Sequence, residues 1–365
     1  MTVHRCWAEI DAAALRHNAG VARDHLEPKG QLLAVIKANG YGHGLTSVAQ
    51  ALAAEADLFG VANLPEALEA RAVVPHPVIV LGPALPAERA EIVRCGFIPS
   101  ISSAAEAGEF SKLAGKNSVA INCKIDTGMG RMGIAESDAL SELKTIASLS
   151  GLTIHSISTH LPSADEEVEF TRAQLARFRA LLAQIREALP GGYKIHALPS
   201  AGVMAFGDSH FDIVRAGLML YGIAPQPEFQ DQLRPALSLK TRLVLVREIP
   251  AGHTISYGRT FITRRPTRVA TLAVGYADGL PRALSNHDAA VLIGGRRCPI
   301  LGRVTMDLTM ADVTEVPAAA VGDEAVLIGR QGEEEISARE MAERASTIAW
   351  EIFTGIGSRV ARVYS

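Results

Sequence analysis

Lys37 closes an apolar run, Leu32-Leu33-Ala34-Val35-Ile36, and is followed at once by Ala-Asn-Gly-Tyr-Gly-His-Gly. A lysine at the end of a core strand snorkels out to solvent, finds a partner, or loses its proton, because a buried ammonium is costly. The last case leaves a neutral amine, the form that attacks a carbonyl to make a Schiff base. Arg131 follows Thr-Gly-Met-Gly (127–130), a turn flexible enough to present a planar guanidinium fork to a carboxylate. It also reads as a plain surface arginine on a loop. His160 ends another strand-like run, and Tyr257 sits in Ile-Ser-Tyr-Gly-Arg. Taken singly, each of these two reads as a structural residue.

Eight short β-branched runs alternate with longer Ala/Leu/Glu/Arg-rich stretches over the first 230 residues: 32–39, 58–63, 77–82, 97–102, 119–126, 152–161, 193–200 and 211–220. Stretches such as LPEALEARAVV and DEEVEFTRAQLARFRALLAQIREAL place apolar residues three and four apart, as amphipathic helices do. Eight βα units predict a (β/α)8 TIM-type barrel over 1–230, an α/β fold with chemistry at the C-terminal ends of its strands. After the Pro/Gln-rich break APQPEFQDQLRP the pattern changes to alternating strands and turns, which predicts an all-β domain over 231–365. Its last part, SAREMAERASTIAWEIFTGI, reads as one helix leading to a closing strand.

The chain has 365 residues, long enough for a barrel-sized domain and a smaller second one. A net charge of −3 gives no electrostatic reason to expect nucleic acid or an anionic membrane, so a small molecule is the expected partner. The four cysteines contain no CxxC pair and suggest neither a zinc site nor a disulfide framework; no metal is expected. The polar N-terminus and the lack of a run of roughly 20 apolar residues lead to a cytoplasmic reading.

AVIKANGYGHG is similar to the cofactor-anchoring segment of alanine racemases, pyridoxal-phosphate enzymes of fold type III, and further matches follow in order along nearly the whole chain. The resemblance implies that Lys37 carries pyridoxal 5'-phosphate covalently and that the Tyr41 hydroxyl touches its phosphate. Through CKIDTGMGRMG (123–133) it places Arg131 beside the cofactor's phenolic oxygen and the substrate carboxylate, and matches Lys124 to a lysine often carbamylated in the family. It places His160 in a hydrogen-bond chain between Arg215 and the catalytic tyrosine. Through VRAGLMLYG (214–222) it sets Arg215 against the pyridine nitrogen and the Gly217 and Leu218 amides near the phosphate, with Ser200 completing the cup. Racemisation needs two bases on opposite faces of a planar carbanion; the resemblance makes Tyr257 the second, reaching a neighbouring subunit's site. Through VGYADG (274–279) and GRVTMDL (302–308) it implies that Tyr276 lines the entrance and that Met306 and Asp307 border the substrate carboxylate. The expectation is thus a homodimeric enzyme with shared sites that interconverts L- and D-alanine and supplies D-alanine for peptidoglycan.

Two positions depart from the family pattern. Pro199-Ser200 stands where the family usually has Asn-Ser, and Ser358 occupies the place of a tyrosine that closes the pocket. The smaller residue predicts a roomier pocket, so a serine or broad-specificity racemase is the alternative. A decarboxylase would want a protonated pyridine, which Arg215 opposes, and a non-catalytic cofactor carrier would lack the β domain.

Overall fold

The computed structural model describes residues 4–115 and 118–365. Met1, Thr2 and Val3, the start of the segment read above as lacking a leader, lie outside the described residues. The chain divides into two compact units, one of residues 14–40 and 45–234, the other of 1–13, 41–44 and 235–365.

In the first unit the eight apolar runs each contain a parallel strand: β1 (Gln31–Val35), β2 (Leu58–Val61), β3 (Val78–Val80), β4 (Ile98–Ile101), β5 (Val119–Asp126), β6 (Leu152–Ser158), β7 (Lys194–His196) and β8 (Ile213–Ala216). They pair in the order β8-β1-β2-β3-β4-β5-β6-β7. The ring nearly closes between β7 and β8, where Asp212 N donates to Ile195 O at 3.0 Å and Arg215 N to Leu198 O at 3.1 Å. Strands buried on both faces read as continuous apolar stretches rather than alternating ones, and β1 to β4 have almost no exposed position. The predicted helices are present as Leu64–Arg71 after β2 and Val168–Ala188 after β6.

The first run ends earlier than its composition suggests. The strand stops at Val35, and Ala38, Asn39, Gly40 and Tyr41 follow in left-handed geometry, with φ of 53°, 55°, 59° and 51°. Left-handed geometry at the three non-glycine residues is costly and persists only where their surroundings fix it. Two bonds do so within this unit: Ala38 N donates to Glu66 Oε1 at 2.7 Å, and Leu45 N donates to Asn39 Oδ1 at 3.0 Å.

The second unit is built mainly of strands. Leu237–Ile249 is its spine, pairing with Glu324–Gln331, with Thr267–Leu272 and with Cys6–Ile10, which in turn pairs in parallel with the closing strand Ala361–Tyr364. The expected division at residue 230 thus differs in its first residues: Cys6–Ile10 lies within the sheet of the second unit, between Leu237–Ile249 and Ala361–Tyr364, instead of opening the barrel. The single C-terminal helix expected over SAREMAERASTIAWEIFTGI is two, Ala338–Arg344 and Ala349–Thr354. Ser346 adopts φ of 54°, which breaks the helical path between them. No described helix is long and apolar enough to cross a membrane.

Asn18, on the helix Ala12–Asp24, is fully buried. Its amide donates to Leu220 O at 3.0 Å and Arg234 O at 2.8 Å, and accepts from Arg234 N at 2.8 Å, so one side chain ties down the chain that leaves β8. Asn18→Leu keeps the branching at Cγ and strands these partners. The expected cost is about 3 kcal/mol, from buried polar groups left unmade, read as a shift of the urea midpoint; a change below about 0.5 kcal/mol would contradict the assignment.

Candidate active site

Lys37 leaves β1 one residue beyond Ile36 and is half-buried. Burial first, then the charges of Arg131 and Arg215, push its amine below the usual lysine range, against the opposing pull of Glu66. Tyr41, four residues on, is buried, and burial pushes its hydroxyl up to about 12. Lys124 on β5 faces the same cations: burial, Arg215 and Arg131 hold its amine well below the lysine range. Arg131 itself is exposed on the loop after β5. That loop is organised by Asp126, whose carboxylate accepts from the amides of Gly128 (2.9 Å), Met129 (2.8 Å) and Gly130 (2.8 Å). Burial alone would raise the Asp126 carboxyl, yet these donors outweigh it and keep it below the usual range.

Arg215 lies on β8 with 6% of its surface exposed. Its guanidinium donates to Thr159 O at 2.9 Å, Ala197 O at 2.7 Å, His160 Nδ1 at 3.1 Å and His196 Nδ1 at 2.7 Å. Burial and Arg131 lower it to about 9. A guanidinium can only donate, so both imidazoles accept from it and are neutral on that face. His160, two residues past β6, and His196, on β7, are accordingly held well below the imidazole range by burial and then by the Arg215 charge.

Ser200 opens the short helix Ser200–Ala205 directly after Pro199, whose φ is −78°. Its Oγ accepts from Gly217 N at 2.8 Å and Met219 N at 3.3 Å, with buried Leu218 between them, so amides from the turn after β8 converge on one oxygen. The barrel therefore brings together Lys37, Lys124, Arg131, His160, Ser200, Arg215, Gly217 and Leu218 at or just past the C-terminal ends of β1, β5, β6, β7 and β8. Apart from Glu66 and Asp126, the charges acting there are positive. A barrel commonly binds phosphate on the loops after its last two strands.

The remaining predicted residues form a separate group on the second unit. Tyr257 stands in a tight hairpin between Thr254–Ile255 and Phe261–Ile262, flanked by positive φ at Ser256, Gly258 and Arg259. Tyr276 N donates to Thr305 O and Ala277 N to Met306 O, both at 3.0 Å, which lays the VGYADG loop against GRVTMDL. Arg359 then bridges Asp278 (2.7 Å) and Asp307 (2.7 Å). Tyr257, Met306 and Tyr276 are left 71%, 53% and 41% exposed.

Four residues that support these two groups were not singled out in the sequence: His196, Glu66 and Asp126 on the barrel and Arg359 on the second unit. His196 lies within the seventh apolar run, and Asp126 within a quoted motif, where Asp-Thr-Gly is an Asx-turn signal. Glu66 and Arg359 carry no local signal. Among the described residues no group of three or more His, Cys, Asp or Glu side chains is arranged to hold a metal ion.

Residues 10–225 match the family model "Alanine racemase, N-terminal domain" and residues 236–364 match "Alanine racemase, C-terminal domain". The alanine racemase of Methylacidiphilum infernorum is 43% identical over 368 residues, covering 99% of this chain and 92% of that protein. The solved alanine racemase of Clostridium difficile superposes with a TM-score of 0.93 at 32% identity, covering 100% of this chain and 96% of the other. That of Bartonella henselae, described with covalently bound pyridoxal phosphate, gives 0.91 at 30% identity and covers 100% of both chains. With family models matching both parts of the chain and full-length relatives above 30% identity, this chain belongs to the alanine racemase family.

Proposed function

We propose that this chain interconverts L- and D-alanine with pyridoxal 5'-phosphate at the barrel mouth, using Lys37 and Tyr257 as its two bases. The observation that carries the reading is the cationic barrel mouth: burial and the charges of Arg131 and Arg215 hold the Lys37 amine below its usual range, and at the end of β8 amides converge on Ser200. That donor set fits an aldehyde attached to an amine and a phosphate dianion. Lys37 would hold the cofactor covalently, Tyr41, Ser200, Gly217 and Leu218 its phosphate, and Arg215 its ring nitrogen. When bound, the cofactor supplies an electron sink that acidifies the substrate's Cα–H. An arginine at the ring nitrogen disfavours its protonation, which limits side reactions and opposes decarboxylase chemistry.

In this reading Arg131, with Met306 and Asp307, orients the substrate carboxylate. One base removes the Cα proton while the other returns a proton on the opposite face. His160, neutral and accepting from Arg215 at Nδ1, has its Nε2–H available to hydrogen-bond the catalytic tyrosine. The exposure of Tyr257, Tyr276 and Met306 supports a homodimer in which each barrel is completed by the other copy's second unit. A Lys37→Ala chain mixed with a Tyr257→Ala chain would then assemble one intact site per mixed dimer. About a quarter of wild-type activity is expected at random assortment. No recovery in confirmed mixed dimers would refute the shared site. A cytoplasmic role supplying D-alanine for peptidoglycan belongs to the same proposal.

Lys124 fits carbamylation, because its depressed pKa leaves the amine neutral nearer to physiological pH than an ordinary lysine. The neutral amine adds CO2 and releases a proton, giving an anionic carbamate opposite Arg131. Incubation with 13C-bicarbonate near neutral pH should give a carbamate carbon resonance that Lys124→Met abolishes; an unlabelled Lys124 would count against it.

Ser358 is exposed where the family pattern has a tyrosine, which favours a second reading as a racemase tolerant of serine. Turnover of L-serine within about tenfold of L-alanine is expected, a gap of some 1.4 kcal/mol. A loss of several hundredfold would restrict the enzyme to alanine.

A further inference from the structure

The interior of a (β/α)8 barrel is usually packed with branched apolar side chains in layers. Here five successive strands each contribute a polar one: Ser100 from β4, Asn122 from β5, Ser156 from β6, His196 from β7 and Arg215 from β8, none more than 6% exposed. Strand register brings the first three level, with Ser100 opposite Asn122 and Asn122 opposite Ser156. Such a layer is costly unless it is saturated, and no polar side-chain atom of these five residues is left buried without a partner.

The direction of nearly every bond follows from chemistry alone. Ser100 Oγ donates to Val80 O at 2.8 Å, so its lone pairs accept from Asn122 Nδ2 at 3.0 Å. The Asn122 amide is thereby oriented with Oδ1 toward β6 and β7, where it accepts from Ser156 Oγ at 3.0 Å and faces His196 Nε2 at 3.2 Å. At the other edge of the ring, His196 Nδ1 accepts from Arg215 Nη1 at 2.7 Å. His196 must therefore carry its proton on Nε2 and give it to the Asn122 carbonyl, with Ser156 Oγ a longer second acceptor at 3.3 Å. The other titratable groups acting on His196 are Lys124 and His155, and His155 Nδ1 lies 3.1 Å from Ser156 Oγ.

We infer that Asn122, oriented by Ser100, is a positioning residue for Arg215: it selects the His196 tautomer whose Nδ1 lone pair holds the guanidinium in place. Were the amide turned over, its NH2 would face Nε2 and favour the opposite tautomer, whose Nδ1–H opposes an Arg215 N–H. The orientation of a serine hydroxyl on β4 is thus transmitted across four strands to the group assigned to the cofactor ring. The inference rests on the proposed role of Arg215 only for its effect on turnover; the tautomer itself is a property of the protein alone.

The test uses 15N-histidine NMR of the cofactor-free full chain, with His196→Asn to assign the resonance, followed by racemase kinetics of the loaded enzyme. Wild type should show His196 protonated at Nε2 and unprotonated at Nδ1 from pH 6 to pH 9. Ser100→Ala, the milder change, should give a mixture of tautomers and a several-fold fall in kcat. Asn122→Leu should lose the Nε2–H preference, and kcat should fall about tenfold with KM for alanine changed less than twofold. If Asn122→Leu does not fold, Ser100→Ala decides alone. A single unchanged tautomer in the folded variants overturns the inference, whatever the activity. A shifted tautomer with kcat unchanged overturns the link to Arg215 while leaving the racemase reading intact. Wild-type protein with no racemase activity would instead refute the proposed function and not the relay.

Discussion

A guanidinium buried inside a barrel without an anion beside it sets the terms for everything around it. Arg215 is held by two carbonyl oxygens and two imidazole nitrogens, and among the described residues it takes part in no ion pair. An unpaired buried charge is expensive, and here it is distributed over dipoles instead of being cancelled. The consequences spread outward. Both histidines are forced to stay neutral acceptors, and Arg215 adds its charge to the burial and to the Arg131 charge that already lower the affinity of Lys37 and Lys124 for their protons. The mouth of the barrel is left with positive potential in need of an anion. A phosphorylated aldehyde answers both needs at once, through charge and through a neutral amine.

The two groups of candidate residues, one on each unit, are built on opposite principles. The barrel residues sit at strand ends, on backbone fixed by ladders on both sides, and their side chains are mutually constrained. Tyr257, by contrast, stands at the tip of a two-residue-strand hairpin with three neighbouring residues in left-handed geometry. That backbone strain is local, and it presents an aromatic hydroxyl outward where a strand would have turned it in or left it flat. Arg359 performs the tethering that the barrel obtains from its strands: by bridging Asp278 and Asp307 it joins three loops that are distant in sequence.

Much of this was legible in the sequence, for identifiable reasons. A fully buried parallel strand leaves an unbroken apolar run, so eight runs gave eight strands, and the change to alternation near 230 marked the sheet-rich unit. Lys37 stood out at the end of a run and Arg131 beside glycine, whereas Arg215 was marked only by the resemblance carried by VRAGLMLYG. What stayed hidden were residues whose meaning comes from register. Asn122 and Ser100 look unremarkable until pairing sets them side by side across two strands, and Asn18 acquires its role only through partners some 200 residues away. The overlong first run and the broken C-terminal helix share another cause. Composition records the preference of a residue for a region and says nothing of a left-handed turn at Ala38 or Ser346.

The left-handed turn after Lys37 also bears on how divisible the molecule is. Immediately beyond it, Tyr41–Gly44 belongs to the sheet-rich unit, although the chain on either side belongs to the barrel. Arg362 binds Gly42 O at 3.0 Å, Tyr364 binds His43 O at 2.8 Å, and a side chain at Gly42 would collide with the backbone at Phe353. Three stretches of one polypeptide are thus woven into the smaller unit, two of them N-terminal. No single cut separates the two parts into autonomous pieces, so a gene fragment ending near residue 230 would encode a barrel still carrying an orphaned strand and an orphaned loop. Exchange of whole modules between relatives, easy for proteins strung together like beads, is closed to a chain threaded back and forth in this way.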